Sequence, residues 1–543
     1  MKNKPGKKLA LLSVYDKTGI TEFAQILIKA GYSVTSSGGT AKKLTEAKIA
    51  ITPVEKITGN PESFDGRMKT ISFQIESGIL FDRKNAKHVK EAEALNINPI
   101  DIVACNLYPF EETIAKKGIA MKDAVENIDV GGPTMIRAAA KNFKNVVVLV
   151  DPADYEWVGE KLLKKTLSEY ERQQLAAKAF YHLSFYDSQI AHYFSDQIFP
   201  QELTLAGRRT ISLRYGENGH QQAAVYLTPN AMTPFANLQK KWGRDLSLTN
   251  LTDINAGIEA VRLFRTPAAV VIKHNNPCGI ALGEDAKEAL QRAIDADPES
   301  AFGGVIILNR PMGLRTARII SSFKEEAKGN IDIVAVPKID KEALELLSKT
   351  RKSMGIYTFD EIPDLDLHPE FISGSKKMLN QVQHDNKHIR MDTKWIDGGF
   401  VLQTRDDEVQ EGFKDWKVVT KKKPSAKQTS QMQIAWKFIT RIKSNAIIVV
   451  DKKLPMTRGI GTGQTSRVRA VKIALQQAGE FANEAVLASD SFFPFDDSVK
   501  LAAEHGIKTI VQQGGSINDK LSIEAADKAG ICMIFTGRRA FWH

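Results

Sequence analysis

The sequence predicts an α/β protein, and three observations carry that prediction: apolar runs of strand length, amphipathic stretches of helix length between them, and Gly- or Pro-bearing turns where one gives way to the other. Taken in order, "LALLSV" from Leu9 to Val14 is a strand, "GITEFAQILIKAG" a helix, "YSVTSS" a second strand, and "GGTAKKLTEAK" opens another helix. Strand–helix alternation argues for a parallel, doubly wound sheet, because parallel neighbours need a crossover that a helix supplies. "IDIVACNLYPF" and "NVVVLVDP" add strands, a long polar helical stretch covers about residues 152–194, and "FPQELTLAGRR" closes the first unit. The remainder alternates again, with strands in "AAVVIK", "GGVIILN", "IDIVAVP", "AIIVVD", "AVLASD", "KTIVQQ" and "ICMIFT". Lys273-His274-Asn275 borders one of these strands and Lys443-Ser444-Asn445 another, while "SAFGG" and "SDSFFPF" follow at some distance, an echo that a duplicated α/β unit would explain. The polar segments "KKMLNQVQHDNKHIRMD" and "VVTKKKPSAKQTS" read as surface connections.

At 543 residues the chain exceeds one hydrophobic core, and 43% hydrophobic with 26% charged residues is ordinary for a globular protein. The net charge of +11 favours anionic partners, and phosphorylated metabolites satisfy it as well as nucleic acid does. The basic runs at Lys421-Lys422-Lys423 and between Met1 and Lys8 are short and read as solvated surface. Three cysteines, Cys105, Cys278 and Cys532, with no CxxC pair indicate neither a disulfide framework nor a zinc site, and a reducing cytosol fits. The apolar start is too short for a signal peptide, and no apolar run approaches a membrane span.

Three constellations could carry chemistry. Ser36-Ser37-Gly38-Gly39-Thr40 lies between a strand and a helix, where glycines admit an anion to free helix amides and hydroxyls add donors. No Gly-Lys-Ser/Thr follows, so this is not a Walker loop, and alone it is equally a structural turn. Ser13, Lys17 and Thr18 fall at the same end of the sheet. "DGRMKT" (Asp65 to Thr70), "NLYPF" (Asn106 to Phe110) and "IDVGG" (Ile128 to Gly132) offer a lysine, a tyrosine and an aspartate for proton transfer, each with a plain alternative as surface charge, core ring or cap. The third is "VVIKHNNPCGIA", where a buried strand ends in Lys273, His274, Asn275 and Asn276 before Pro277 and Gly279 are expected to turn the chain. Arg214-Tyr215-Gly216-Glu217-Asn218, Asn445, "GIGTGQTSR", "SDSFFPF" and "GRRAFWH" join it as groups suited to a flat heterocycle with anionic ends.

As an ordered set, "SVYDKTG", "SSGGTAK", "GRMKT", "ACNLYPF", "IDVGG", "RAAAKN", "LRYGEN", "DINAG", "KHNNPCG", "SAFGG", "KSNAI", "GIGTGQTSR", "SDSFFPF" and "TGRRAFWH" resemble the bifunctional purine-biosynthesis family that joins 5-aminoimidazole-4-carboxamide ribonucleotide (AICAR) formyltransferase to inosine monophosphate (IMP) cyclohydrolase. The resemblance implies a methylglyoxal-synthase-like parallel-sheet domain over residues 1–200. It further implies a formyltransferase region over 201–543, built of two cytidine-deaminase-like α/β subdomains at about 201–375 and 376–543. It implies a cytoplasmic homodimer with transferase sites at the subunit interface, AICAR, formyl-AICAR and 10-formyltetrahydrofolate as substrates, no catalytic metal, and no nucleic-acid or membrane partner. Carried over residue by residue, it makes His274 the base, Lys273 the essential lysine and Asn445 the amide that orients the formyl group. Arg214, Tyr215, Phe302, Gly303, Asp332, Gln464, Phe493, Arg539, Phe541 and His543 would bind substrates there. For cyclisation it implies Lys69 with Tyr108, Asp129 and Lys141, flanked by Arg67, Thr70, Asn106 and Gly131, and a phosphate pocket of Ser13, Lys17, Ser37, Gly39 and Thr40.

Departures are few. Where the family continues from "KT" into Leu-His-Pro, this chain has Ile71-Ser72-Phe73, which is expected to reshape the loop beside Lys69 and leaves as an alternative a formyltransferase with a weak or inactive cyclohydrolase domain. Gly219 stands at the usual proline of "RYGENPHQ", and the "RRAFWH" ending differs from the common one. A zinc deaminase would need His-x-Glu and Pro-Cys-x-x-Cys, and "PCGI" lacks the second cysteine. An RNA-binding protein would show a salt-dependent gel shift that a metabolite enzyme does not.

Overall fold

The computed structural model describes residues 8–64, 67–116, 118–231, 233–323, 330–360, 362, 390–406, 409 and 411–543. Residues 1–7 of the N-terminal basic run, Asp65 and Gly66 of "DGRMKT" and most of the connection at 376–392 lie outside the described residues. The chain separates into two compact units, Met1–Arg208 with Thr228–Asn230, and Arg209–Leu227 with Ala231–His543.

The first unit is a five-stranded parallel sheet of β1 (Lys8–Val14), β2 (Tyr32–Ser36), β3 (Ile51–Pro53), β4 (Ile102–Asn106) and β5 (Val147–Leu149), in the order β3-β2-β1-β4-β5. The chain winds outward from β1 to β3 and returns to β4, so the topological switch lies between β1 and β4, where Val14 pairs with Asn106 at the carboxyl ends. Helix Ile20–Lys29 buries Ile20, Phe23, Ala24 and Leu27, the i, i+3, i+4, i+7 stripe its sequence predicts. Phe23 stacks on Tyr155 with centroids 4.6 Å apart, and truncating so buried a ring to Ala costs about 3–5 kcal/mol. The polar stretch at 152–194 is not one helix: Tyr155–Lys164 ends at Lys165, in the left-handed region at φ 57°, and Glu169–Phe194 restarts behind a Ser168/Glu171 capping box.

A two-stranded ribbon of β6 (Arg208–Ser212) and β7 (Ala224–Leu227) leads into the second unit. There β8 (Gln239–Trp242), β9 (Ala268–Lys273), β10 (Asn276–Leu282), β11 (Val305–Leu308), β12 (Ile333–Val336) and β13 (Gly355–Thr358) form one sheet in the order β10-β9-β11-β12-β13-β8. After the hairpin of β14 (Met391–Ile396) and β15 (Gly399–Thr404), a second sheet forms from β16 (Lys417–Val418), β17 (Ile447–Val450), β18 (Thr457–Gly461), β19 (Val486–Ser489), β20 (Thr509–Gln512) and β21 (Cys532–Phe535). Its order is β16-β21-β20-β19-β17-β18.

The two sheets are wired identically. In each, an antiparallel hairpin (β9/β10 or β17/β18) precedes three mutually parallel strands, and a strand from before the hairpin closes the far edge antiparallel. The helices entering the hairpins, Leu248–Val261 and Ala426–Ile439, both start at a serine capping box, Ser247/Asn250 and Ser425/Gln428. The duplication is therefore present, but the tripeptides that hinted at it are not its equivalents. Lys273-His274-Asn275 ends β9, whereas Lys443-Ser444-Asn445 precedes β17, so they mark opposite ends of corresponding strands.

The edge strands β10 and β18 run antiparallel along one seam. Ala281 bridges Met456, Leu282 N–H donates to Pro455 O at 2.9 Å, and Ile280 N–H donates to the Thr457 hydroxyl at 3.1 Å. The expected turn at Pro277 and Gly279 is corrected here. Lys273 pairs with Asn276, the turn is His274-Asn275 at φ 55° and 61°, and Pro277 to Gly279 form a bulge inside β10. Two left-handed residues in succession make the twist-matching two-residue hairpin turn, and asparagine is among the few side chains that accept it.

Candidate active site

In the first unit, candidate groups gather at the carboxyl ends of β1, β2 and β4. Asn106 accepts the N–H groups of Tyr15 and Asp16 at 2.7 and 2.9 Å and returns its amide to Asp16 O, fixing the loop after β1. Thr40 Oγ1 bonds Val14 N and O, tying the start of helix Gly38–Glu46 to the same strand. Gly38 is left-handed at φ 52°, and a Cβ there would fall 2.6 Å from Lys69 Nζ, while one on Gly39 would fall 3.6 Å from Lys17 Nζ. Two ammonium groups thus flank a glycine pair at a helix N-terminus, and the Ser37 hydroxyl makes no capping bond. That is an anion cradle. Ser13 is half-buried in β1.

Lys69 Nζ pairs with Glu62 at 2.8 Å, and buried Thr70 faces Gly131, whose Cβ position lies 2.7 Å from the threonine hydroxyl. Asp129 accepts Gly132 N–H at 2.9 Å, its own N–H meets Tyr186 Oη, and burial raises its carboxyl pKa against the pull of the Gly132 and Gly131 amides. The ring of Tyr108 meets Tyr15 edge-on at 4.4 Å. Exposed Arg67 pairs with Glu126. Lys141, expected with these residues, stands at the opposite end of the helix that begins beside Thr70. Lys141 is the exposed last residue of helix Gly131–Lys141, ten residues and roughly 15 Å along the axis from Gly131. Ser72 accepts Ile75 N–H at 3.1 Å and caps helix Phe73–Leu80, so the unusual Ile71-Ser72-Phe73 run is a helix start with Phe73 outward.

In the second unit the site is built at the β9/β10 turn. Asp253, buried on helix Leu248–Val261, accepts Asn275 N–H at 2.6 Å and holds the turn from beneath; burial raises its carboxyl pKa, opposed by that bond and by neighbouring His274. His274 is thereby exposed at the tip. Lys273 Nζ donates to Phe302 O at 2.9 Å, and Gly303 N–H donates to Asn330 O. Asp332 receives Arg244 at 3.2 Å and Asn330 Nδ2 at 3.0 Å. Asn276 Oδ1 accepts Lys443 N–H at 3.2 Å and the Thr462 hydroxyl at 2.9 Å, which joins the tip to the loop carrying Asn445.

Asn445 exchanges backbone bonds with Gln464, donates Nδ2 to Gln464 O at 2.8 Å, and accepts Arg467 Nη2 at 2.7 Å. Gln464 thus supports Asn445 by its backbone, while its side chain binds Thr462 O. The C-terminal segment is stitched on by Ser444 N–H to Trp542 O, 2.9 Å, and Trp542 N–H to Ser444 Oγ, 3.2 Å. Beside them Arg539 lies over Phe541 at 4.5 Å, and Phe541 meets His543 at 5.5 Å. Arg214 packs on Tyr215 and donates to its hydroxyl at 2.9 Å. Phe493 is corrected: it is 0% exposed within the core of the second sheet and offers no face to a ligand. Asn276 stands in the constellation the sequence singles out, whereas Asp253, Arg467 and Asp490 carry no signal of their own although "DINAG", "GIGTGQTSR" and "SDSFFPF" contain them. A polar residue that acts through its neighbour leaves no separate sequence signal.

The family model described as AICARFT/IMPCHase bienzyme matches residues 139–477. The chain belongs to the AICARFT/IMPCHase bienzyme family. An MGS-like domain model matches residues 19–134, in agreement with the parallel sheet of the first unit. The bifunctional purine biosynthesis protein PurH of Oceanobacillus iheyensis is 42% identical over 541 residues, covering 99% of this chain and 100% of that one. Its counterpart in Thermoanaerobacter sp. is 43% identical over 540 residues, with the same coverage. As a member of the AICARFT/IMPCHase family the chain is a bifunctional enzyme of purine biosynthesis. No described helix is long and apolar enough to cross a membrane, and among the described residues no group of three or more His, Cys, Asp or Glu is placed to hold a metal ion.

Proposed function

We propose that formyl transfer from 10-formyltetrahydrofolate to AICAR takes place at the β9/β10 turn, and that ring closure to IMP takes place at the switch point of the first unit. The observation that carries this reading is Asn276, whose carboxamide oxygen ties the Lys273-His274 tip to the loop of Asn445. The AICAR amine is conjugated with its ring and carboxamide, which makes it a poor nucleophile. An imidazole suits the removal of its proton near neutral pH as nitrogen bonds the formyl carbon. The oxyanion formed there is met by the Lys273 ammonium, of whose three donors one is spent on Phe302 O, and by Asn445. When the oxyanion collapses, the bond to the folate nitrogen breaks and that nitrogen takes up a proton.

In cyclisation the carboxamide nitrogen attacks the formyl carbon and the resulting hydroxyl leaves as water. Lys69, Tyr108 and Asp129 are the proton-handling groups of this reading, and the cradle of Ser37, Gly38, Gly39 and Lys17 receives the phosphate. The domains follow the boundary near residue 200, and the working form is a cytoplasmic homodimer with formyl folate as cosubstrate and no catalytic metal. The test is an assay of each half-reaction. His274→Ala should abolish formyl transfer and leave cyclisation of supplied formyl-AICAR intact, and Lys69→Ala should let formyl-AICAR accumulate. Joint loss in either folded variant would refute two separate sites. A slow second half-reaction in the unaltered protein would favour the weak-cyclohydrolase alternative.

A further inference from the structure

Asn445 lies in a hydrogen-bonded frame that fixes which way its amide points. Its Oδ1 faces Arg467 Nη2, which can only donate, and its Nδ2 faces Gln464 O, which can only accept. Flipping the amide would set donor against donor and acceptor against acceptor, so one orientation survives. One N–H is spent on Gln464 O, and the other has no partner among the described residues.

The arginine is itself held. Arg467 is the first residue of helix Arg467–Ala478 and is 8% exposed; its Nη1 donates to Ser489 Oγ at 2.8 Å and pairs with Asp490, which is 0% exposed. The second oxygen of Asp490 accepts the Ser444 hydroxyl at 2.6 Å and Ala446 N–H at 2.9 Å. One buried carboxylate therefore grips both chain neighbours of Asn445 and, through the guanidinium fork, the tip of its side chain.

Resting on the reading of Asn445 as a transferase residue, we infer that the buried Asp490–Arg467 pair is a positioning device that locks the Asn445 amide as a hydrogen-bond donor to the formyl oxygen. The cation on Oδ1 polarises the amide, so the free N–H becomes a stronger donor to the oxygen on which charge develops. Asn445 touches the reacting group, and Arg467 acts through it. A fork is needed for this, because a lysine ammonium paired with Asp490 cannot also span to Asn445.

The test uses the full-length protein. Arg467→Lys should lower kcat for formyl transfer on the order of 10- to 100-fold while KM for AICAR and for formyl folate moves less than about threefold. In an Asn445→Ala background the same change should add no further loss, because the clamp then has nothing to hold. A merely structural arginine would multiply the two losses, and that outcome, or unchanged kcat in Arg467→Lys, overturns the inference. Should Arg467→Lys fail to fold, Asn445→Asp decides: it keeps the acceptor for Arg467 and deletes the donor, so kcat should fall as far as in Asn445→Ala, on the order of 10²-fold or more. Activity retained in Asn445→Asp would show that the carbonyl end does the work and contradict the donor assignment. Loss-free Asn445→Ala would instead remove the underlying reading of Asn445.

Discussion

The β9/β10 and β17/β18 hairpins occupy the same place in two copies of one topology, yet their tips are built to opposite ends. The first tip is a two-residue turn with both residues left-handed, at about 1–2 kcal/mol of backbone strain each for side chains other than glycine. It sends its polar groups outward: Asn276 to Lys443 and Thr462, Lys273 to Phe302. The second tip spends its carboxylate on its own turn, while Pro455 and Met456 within it meet Leu282 and Ala281 of β10. Asp451 accepts Lys453 N–H, Leu454 N–H and Arg458 Nε at 2.8 to 3.0 Å, and Lys452 pairs with Glu484. A duplicated fold supplies two equivalent ends. On the function proposed above, chemistry uses the end whose polar groups are strained open, and stability the end whose carboxylate is satisfied within its own turn.

That contrast can be broken experimentally. The largest effect is expected from His274→Ala, which should cut formyl transfer by roughly 10²- to 10⁴-fold, whereas Lys452→Ala on the opposite tip should leave it unchanged. Next, Asn276→Ala removes the bonds from the tip to Lys443 and Thr462, and kcat should fall about 10- to 100-fold with intact melting behaviour. Equal loss from changes at the two tips would erase the distinction. Asp451→Ala should do the reverse: chemical denaturation should show a stability loss of about 2–3 kcal/mol, since Arg458 and two turn amides lose their acceptor, while kcat stays within about twofold.

The smallest effect lies in the first unit and separates stability from chemistry there. Burial pushes the Glu76 carboxyl up to about 7, and neither of its buried oxygens has a hydrogen-bond partner among the described residues. Between an ordinary carboxyl value near about 4.3 and that raised one, the folded chain holds a proton that the unfolded chain has released. The contribution to stability is complete below this window and lost as pH rises through about 7. Glu76→Gln should therefore raise the melting temperature at pH 8 by a few degrees and hardly move it at pH 4, at the foot of that window. An equal shift at both values would assign the change to packing alone.

Much of this was legible in the sequence because periodicity reports burial. β1, β2, β4, β9, β11 and β17 stand where apolar runs place them, and Gly38-Gly39 opens a helix as its strand-to-helix setting requires. What sequence reading got wrong was geometry set by neighbours. Pro277 and Gly279 look like a turn, but His274-Asn275 takes the left-handed positions because Asp253, about twenty residues upstream, holds the amide there. Phe493 looks like a ligand-facing ring in an aromatic run, yet in the loop after β19 its N–H donates to buried Gln512 Oε1 at 3.3 Å and its ring packs into the core. Lys141 follows Asp129 closely in sequence, and the rise of an α-helix carries it away from the helix start beside that aspartate. Short antiparallel partners such as β10 and β18 carry Gly, Pro and Thr rather than a continuous apolar run, and this composition hid them.

The most direct test is a crystal structure of the full chain with AICAR and a folate unable to release its formyl group. The AICAR amine is expected within hydrogen-bond reach, about 3 Å, of the His274 imidazole, with the formyl oxygen on Asn445 and no ligand at the Asp451 turn. AICAR seated away from His274, with that ring in solvent and Asn445 touching neither substrate, would contradict this placement.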